Sequence, residues 1–551
     1  MKRRDFLKYS GLSSVAASVP IAGSKLSSFC TPSMLNLMCC DEIQDRVLVL
    51  INLGGGNDGI NNFIPLDQYD AYRNYRPTLG IPEEKYINLD SSLPDNQQIG
   101  LHPAFQKFKG LYEAGKASII RGVGYHNQTK SHFKGQDLWM TGGDGREENF
   151  NIKNGWMGRF LDYMYSGTAG IPSLLNPDPT GIEIGTDSPA LLYNIDALRN
   201  AALRLGKAGN EENFSVINSF GLRTPFELGD STYDKELEYI LSVQNNTSNY
   251  SARIAELFER GNNEVDYPTF NLASQLKTVS KLLSGGSKTK IFMVKISGFD
   301  THDAQVDNSD PTKGIHAELL QEVAESLDAF YRDLEALNIA NRVVSCTFSE
   351  FGRKVFENGN RGTDHGTLGP MMLFGTGVAS GVFGSNPNLD IQDEEGALGE
   401  EKQYDYRQIF TSLLQDWLGA KDDAIQAASF GEYLGEKIDI VDTSYIANAD
   451  CRVDSYLDCL EKPTLEEVTF DLYPNPFKDA FTLEYNAIED GEYDIEIYDL
   501  SFNLVQREEI QIKVGINILR LEHRYATGHY IFKLANSNLP TMYGLKKIIK
   551  L

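Results

Sequence analysis

Carboxylates and imidazoles recur in this chain just beyond the carboxyl ends of apolar runs. Asp58 follows "VLVLINLGGGN", and His126, Thr129, Ser131, His132 and Asp137 follow "ASIIRGVG". Asp300, His302 and Asp303 follow "KIFMVKISGF", Glu350 follows "RVVSCTFS", and Asp364 and His365 stand in "GTDHGTLGP", just before "MMLFG". Four of the eight histidines fall in these segments, beside carboxylates, so the bias is not that of scattered surface residues. A single acid or imidazole at a strand end is ordinarily a turn former or a helix cap. The same bias at several strand ends is better explained by a shared divalent cation. Carboxylate oxygens with neutral imidazoles suit zinc, with manganese, magnesium or calcium as alternatives. The lack of thiolates in the set argues against a closed structural zinc site.

The glycines before Asp58 admit another chemistry. Gly54, Gly56 and Gly59 match the dinucleotide fingerprint literally. A dinucleotide loop runs straight into a helix whose amino end faces the pyrophosphate. Here "INNFIP" intervenes, and Asp58 would press a negative charge on those phosphates. Glycines that let the backbone turn tightly around a metal-binding Asp58 explain the stretch better.

Elements of two kinds must position these residues. "RVLVLINL", "ASIIRGVG", "KIFMVKIS", "RVVSCTF" and "MMLFGTGV" read as strands buried on both faces. They alternate with helix-like segments, of which "IHAELLQEVAESLDAFYRDLEAL" is the clearest, with Leu319, Val323, Leu327, Phe330 and Leu334 at helical spacing. This alternation predicts a layered α/β domain, in whose open sheet functional loops gather beyond the carboxyl ends of the strands. Asp405, in "DYRQIF", reads as a helix N-cap, and Cys346 as a buried free thiol. The other five cysteines permit disulfides without specifying them.

The pattern changes from about Thr443 to Thr464 into a polar linker, and then into short alternating strands without a helix-length apolar pattern. Four regions are expected: a signal peptide over 1–28, an α/β domain over 44–440, a linker over 441–465 and a β-sandwich over 466–551. The signal reading rests on Arg3-Arg4 with Phe6-Leu7-Lys8 and a modest apolar stretch, a twin-arginine pattern that implies the twin-arginine translocon as a partner. No later run reaches the roughly 18 apolar residues of a spanning helix, so the mature protein is expected to lack a transmembrane segment. A formal net charge of −26 over 551 residues disfavours nucleic acid and anionic lipid as partners.

Two resemblances cover most of the chain. "LYPNPF" from Leu472, "IEIYDLSFNLV", "ATGHYIFKL" and the terminal "KKIIKL" resemble the C-terminal sorting domain of the type IX (Por) secretion system. That resemblance implies the type IX machinery as a partner, and release or attachment at the cell surface after passage through the periplasm. From Val47 to about Gly419, "LGGGNDG", "SHFKGQDLW", "GWMGRFLD", "FDTH", "SEFGR", "GTDHG" and "DYRQIFTSLLQDWLG" resemble the bacterial family catalogued as domain of unknown function 1501. That family is grouped with the alkaline phosphatase–sulfatase superfamily.

The superfamily resemblance implies a three-layer α/β/α sandwich and a hydrolase of phosphate or sulfate esters, acting on a small anionic ester. It implies a metal held by Asp58, Asp300, His302, Glu350, Asp364 and His365, with Ser131 as nucleophile and Thr129 as second choice. His132, beside Ser131, donates a hydrogen bond or packs against an aromatic. Aligning Asp364-His365 with the superfamily's Asp-His pair, instead of His365 with its final histidine, leaves no later histidine within the domain. On either alignment one histidine is missing from the two-metal pattern. The alternative is therefore a non-catalytic metal-binding surface protein that acts in binding or assembly.

Overall fold

The computed structural model describes residues 45–147, 152, 154–164, 178–185, 202–205, 250, 253–399 and 402–446 of the first compact unit, plus a strand pair at 19–21 and 24–26. Of the second unit it describes 470–475, 477–487, 490–499, 504–522, 526–536 and 543–550. Most of the signal segment and five of the six cysteines lie outside the described residues, as does most of the linker.

Nine strands of the first unit form one sheet: β1 Val47–Gly54, β2 Ala117–Gly124, β3 Gly181–Ile184, β4 Ala202–Leu205, β5 Ile291–Ser297, β6 Val343–Phe348, β7 Gly369–Phe374, β8 Gly381–Phe383 and β9 Tyr404–Asp405. Their order is β8-β2-β7-β6-β1-β5-β3-β4, with β9 beside β2. All eight residues of β1 are buried, as its unbroken apolar run requires, and it pairs in parallel with β5 and β6.

Alternate residues of β1 feed two layers. Val47, Val49, Ile51 and Leu53 pack with helices α1 Gln106–Glu113, α4 Asn271–Ser284 and α5 Ile315–Ala336. On α5 the buried stripe runs through Leu320, Val323, Leu327, Phe330 and Leu334, with Leu319 only partly buried at its margin. Leu48 and Leu50 pack instead with α3 Trp156–Met164, α6 Tyr406–Ser412 and Trp417. The result is a three-layer α/β/α arrangement. Asp405 caps α6 through the Arg407 amide at 3.1 Å, and Cys346 is a buried free thiol.

One departure from a parallel sheet matters for function. Strand β7 runs antiparallel to both β6 and β2. The carboxyl ends of β1, β2, β5 and β6 therefore share an edge with the amino end of β7. The exits carrying Asp58, Ser131-His132, Asp300-His302 and Glu350 meet there with the Asp364-His365 segment that leads into β7.

The described residues of the second unit are all-β. Phe470–Tyr473, Ala480–Ala487 and Gly515–Glu522 form one antiparallel sheet, and Gly491–Asp499, Leu504–Ile512, Gly528–Asn536 and Tyr543–Lys550 form another. Inward residues of both, including Phe481, Leu483, Ile495, Phe532 and Leu534, make its core. Among the described residues, no helix is long and apolar enough to cross a membrane.

Candidate metal centre

The glycine loop after β1 serves close approach between backbones. Gly55 has φ +123°, and a Cβ there would lie 2.3 Å from the Asp300 backbone nitrogen. Gly56 has φ +81°, and its Cβ would enter the Phe351 ring. The loop can thus press against the Asp300 segment and Phe351 at once. Arg353 staples this contact from a fully buried position, donating to the carbonyls of Gly55, Gly56 (2.7 Å), Phe299 (2.9 Å) and Thr363 (2.9 Å). It also donates to Asp300 Oδ1 at 2.7 Å, so its guanidinium is committed to structure.

Three imidazoles surround Asp300. His132 opens helix α2 His132–Thr141, and its ring packs 4.9 Å from Phe351 and 4.3 Å from His365, centroid to centroid. Its Nε2 lies 3.4 Å from Asp300 Oδ2 without making a hydrogen bond, and is buried without any hydrogen-bond partner. His302 Nε2 and His365 Nε2 lie 3.1 and 3.3 Å from Asp300 Oδ1 and 2.8 Å from each other. Ligand atoms of His132, Asp300 and His365 fall within 4.8 Å of one another, a group that could hold a metal ion.

The other ring nitrogens fix the tautomers. His365 Nδ1 lies 2.7 Å from the Lys130 carbonyl, which can only accept, so Nδ1 carries the proton. His132 Nδ1 meets Glu350 Oε1 at 2.9 Å, and His302 Nδ1 meets Asp364 Oδ1 at 3.1 Å. Carboxylates likewise accept. In the neutral rings all three Nε2 atoms are therefore unprotonated, and each lies within 3.4 Å of an Asp300 carboxylate oxygen. Two lone pairs at 2.8 Å repel unless a proton or a cation joins them. Ligation by both at bonds of about 2.1 Å in tetrahedral geometry would need a separation of about 3.4 Å, a shift of a few tenths of an ångström.

The electrostatics suit a cation. Burial works against ionisation of Asp300, but the hydrogen bond and charge of Arg353 hold its carboxyl below the ordinary range. Asp364 is likewise lowered against burial by Asn358 and His302, and Glu350 by His132 and Gln136. Burial pushes His365 down, whereas the Glu350 hydrogen bond pushes His132 up.

Asp300, His302 and His365 thus touch one another, and Glu350 and Asp364 contact the imidazoles from behind. Asp58 is wholly buried, with its Oδ2 accepting from Arg76 Nη1 and Gln305 Nε2, both at 2.7 Å. Ser131 is exposed at the N-cap position of α2, and its side chain does not cap the helix. Arg76, Gln305 and Lys130 escaped the sequence reading. Lys130 acts through its carbonyl, which leaves no residue-type signal, and Arg76 stands at the C-cap of the short helix Tyr69–Tyr75.

Residues 249–414 match the family model "Protein of unknown function (DUF1501)", and residues 471–550 match "Secretion system C-terminal sorting domain". The first match is a region similar to DUF1501 and the second a secretion sorting domain, each covering part of the chain. The sorting domain marks a protein exported to the cell surface or released, and implies the type IX secretion machinery. No curated protein matches the chain.

Solved structures similar to the DUF1501-bearing chain include a protein in the alkaline phosphatase superfamily from Vibrio parahaemolyticus, at 8% identity and TM-score 0.27 over 87% of this chain and 82% of that one. A Pseudoalteromonas sp. sulfatase shows 9% identity and TM-score 0.28 over 90% and 89%. An alkaline phosphatase from the Antarctic bacterium TAB5 shows 9% and 0.21 over 61% and 94%.

Proposed function

We propose that this exported DUF1501 protein is a metal-dependent hydrolase of phosphate or sulfate esters. The cation is held by Asp300 and by Nε2 of His132, His302 and His365. The observation that carries this reading is the gathering of three Nε2 atoms, unprotonated in the neutral rings, within 3.4 Å of one carboxylate. A donor set of imidazole nitrogens and one carboxylate suits zinc, with manganese as the runner-up. When bound, the cation supplies Lewis acidity and neutralises an anionic substrate.

The remaining roles belong to the chain. Glu350 and Asp364 orient His132 and His302, and the Lys130 carbonyl orients His365. Ser131 stands next to His132 with an exposed hydroxyl, suited to in-line attack on the ester. The amino end of α2, a helix of 10 residues, brings a positive dipole end beside Ser131. Attack by Ser131 Oγ, with loss of its proton, would break the ester's P–O or S–O bond and release the protonated alcohol. Water would then hydrolyse the serine ester, giving free phosphate or sulfate and restoring the hydroxyl.

The experiment is metal analysis of the purified protein with aryl phosphate and aryl sulfate assays, before and after chelator treatment. Hydrolysis that is lost with the metal and returns with zinc or manganese is the expected result. Bound metal without turnover of either ester class would favour the non-catalytic surface-binding reading.

A further inference from the structure

Beneath the cluster lies a buried polar assembly that touches none of the three imidazoles. Gln305 is fully buried and all its side-chain groups are engaged. Its Oε1 accepts from the hydroxyls of Thr301 at 2.9 Å and Thr363 at 2.7 Å, while its Nε2 donates to Asp58 Oδ2 at 2.7 Å. The carboxylate can only accept, so the amide has one consistent orientation. Thr301 lies between Asp300 and His302, and Thr363 immediately precedes Asp364 and His365. The Thr363 amide also donates to the Thr301 carbonyl at 3.0 Å.

Asp58 is in turn held by Arg76, itself fully buried, which donates to the carbonyls of Val355 at 2.7 Å and Lys354 at 2.8 Å and to Asn61 Oδ1 at 3.1 Å. One amide side chain thus joins the Asp58 loop to both segments that carry His302 and His365.

We infer that Gln305 is a positioning residue for the metal centre, and that Asp58 with Arg76 is its anchor. This inference rests on the metal reading above. Asp58 Oδ2 is shared by a guanidinium and an amide, which pairs its charge within the fold, while its Oδ1 is buried without a hydrogen-bond partner, so the anchor and ligand roles are separated by the double variant below. Losing the Gln305 bridge would free the Thr301 and Thr363 hydroxyls and let the two histidine segments drift apart. Partners that orient ligands from behind typically change metal affinity 10- to 100-fold.

The test uses the full chain and cobalt(II), whose visible absorption reports ligand number and geometry, with zinc affinity from chelator competition. Gln305→Met and Thr363→Val should weaken zinc binding about 10- to 100-fold and alter the cobalt spectrum, while Thr363→Ser restores both. A merely structural loss would lower the melting temperature and leave affinity and spectrum of the folded fraction unchanged, which would overturn the inference. The double variant Asp58→Asn, Arg76→Met separates anchor from ligand. Retention of metal with weakened affinity supports the anchor, and complete loss from a folded protein overturns it. If that variant fails to fold, the Gln305 and Thr363 series decides alone. Wild-type protein that binds neither cation strikes the metal reading itself, whereas wild-type binding matched by Gln305→Met strikes only this inference.

Discussion

His302 and His365 face each other through Nε2 atoms 2.8 Å apart, while their Nδ1 atoms are held by Asp364 and the Lys130 carbonyl. A neutral pair locked in this way presents two lone pairs to the same point. Replacing either ring should therefore remove a cation ligand. His302→Gln and His365→Gln are each expected to lower zinc affinity by at least about 100-fold, read by chelator competition.

Glu350 and Asp364 should behave differently from the rings they hold. Glu350→Gln and Asp364→Asn keep shape but weaken the acceptor, so affinity is expected to fall about 10- to 100-fold with the ligand number retained. Cobalt absorption separates the cases: an unchanged coordination number supports the orienting role, and a lost ligand assigns direct coordination.

Ser131→Ala is expected to lower ester turnover by several orders of magnitude while leaving metal content near that of the native protein. Stoichiometry by atomic spectroscopy, alongside the assay, checks both halves. Near-native turnover would remove Ser131 as nucleophile and bring Thr129 forward.

Acid stability follows from His316, which is buried against Asp58 and feels Arg76 and Arg353. Burial pushes its pKa down to about 4, and that of the neighbouring His102 down to about 3. The unfolded rings, with pKa near 6.5, bind protons that the folded rings refuse, so stability should fall as pH drops from about 6.5 toward 4. Urea midpoints across that range should fall less steeply in His316→Phe than in the native chain. Equal slopes would show that His316 does not take up a proton on unfolding.

Removing the chain after Glu466 should leave the first unit folded but not exported beyond the periplasm, because the second unit has a hydrophobic core of its own. Fractionation of cells expressing the truncated chain measures this. Normal surface delivery would contradict the sorting role of the β-domain.

Much of this architecture is written in local pattern. The unbroken apolar runs at Val47, Ile291 and Val343 can only be strands buried on both faces, and their exits place Asp300, His302 and Glu350 at one edge. The reversal of β7 was not readable, since antiparallel pairing leaves no mark on an apolar run of this length, yet it is what returns His365 to that edge. The sequence reading grouped Asp58 and Glu350 with the ligands because residue type and strand exit agree. What separates their surroundings is distant: Arg76 and Gln305 on Asp58, and the His132 Nδ1 proton on Glu350. No spacing rule encodes those partners. Gly54, Gly56 and Gly59 invited a phosphate reading, whereas the conformation at Gly55 and Gly56 reflects the approach of Phe299, Asp300 and Phe351.

The central claim is that the Nε2 atoms of His132, His302 and His365 converge on a divalent cation with Asp300. Nitrogen-15 NMR of histidine-labelled protein, stripped by chelator and titrated with zinc, tests it most directly. The account predicts that these three rings shift at Nε2 and keep their protonated Nδ1, while His102 and His316 stay unmoved. Unchanged Nε2 resonances in a folded protein, or metallation at Nδ1, would contradict it.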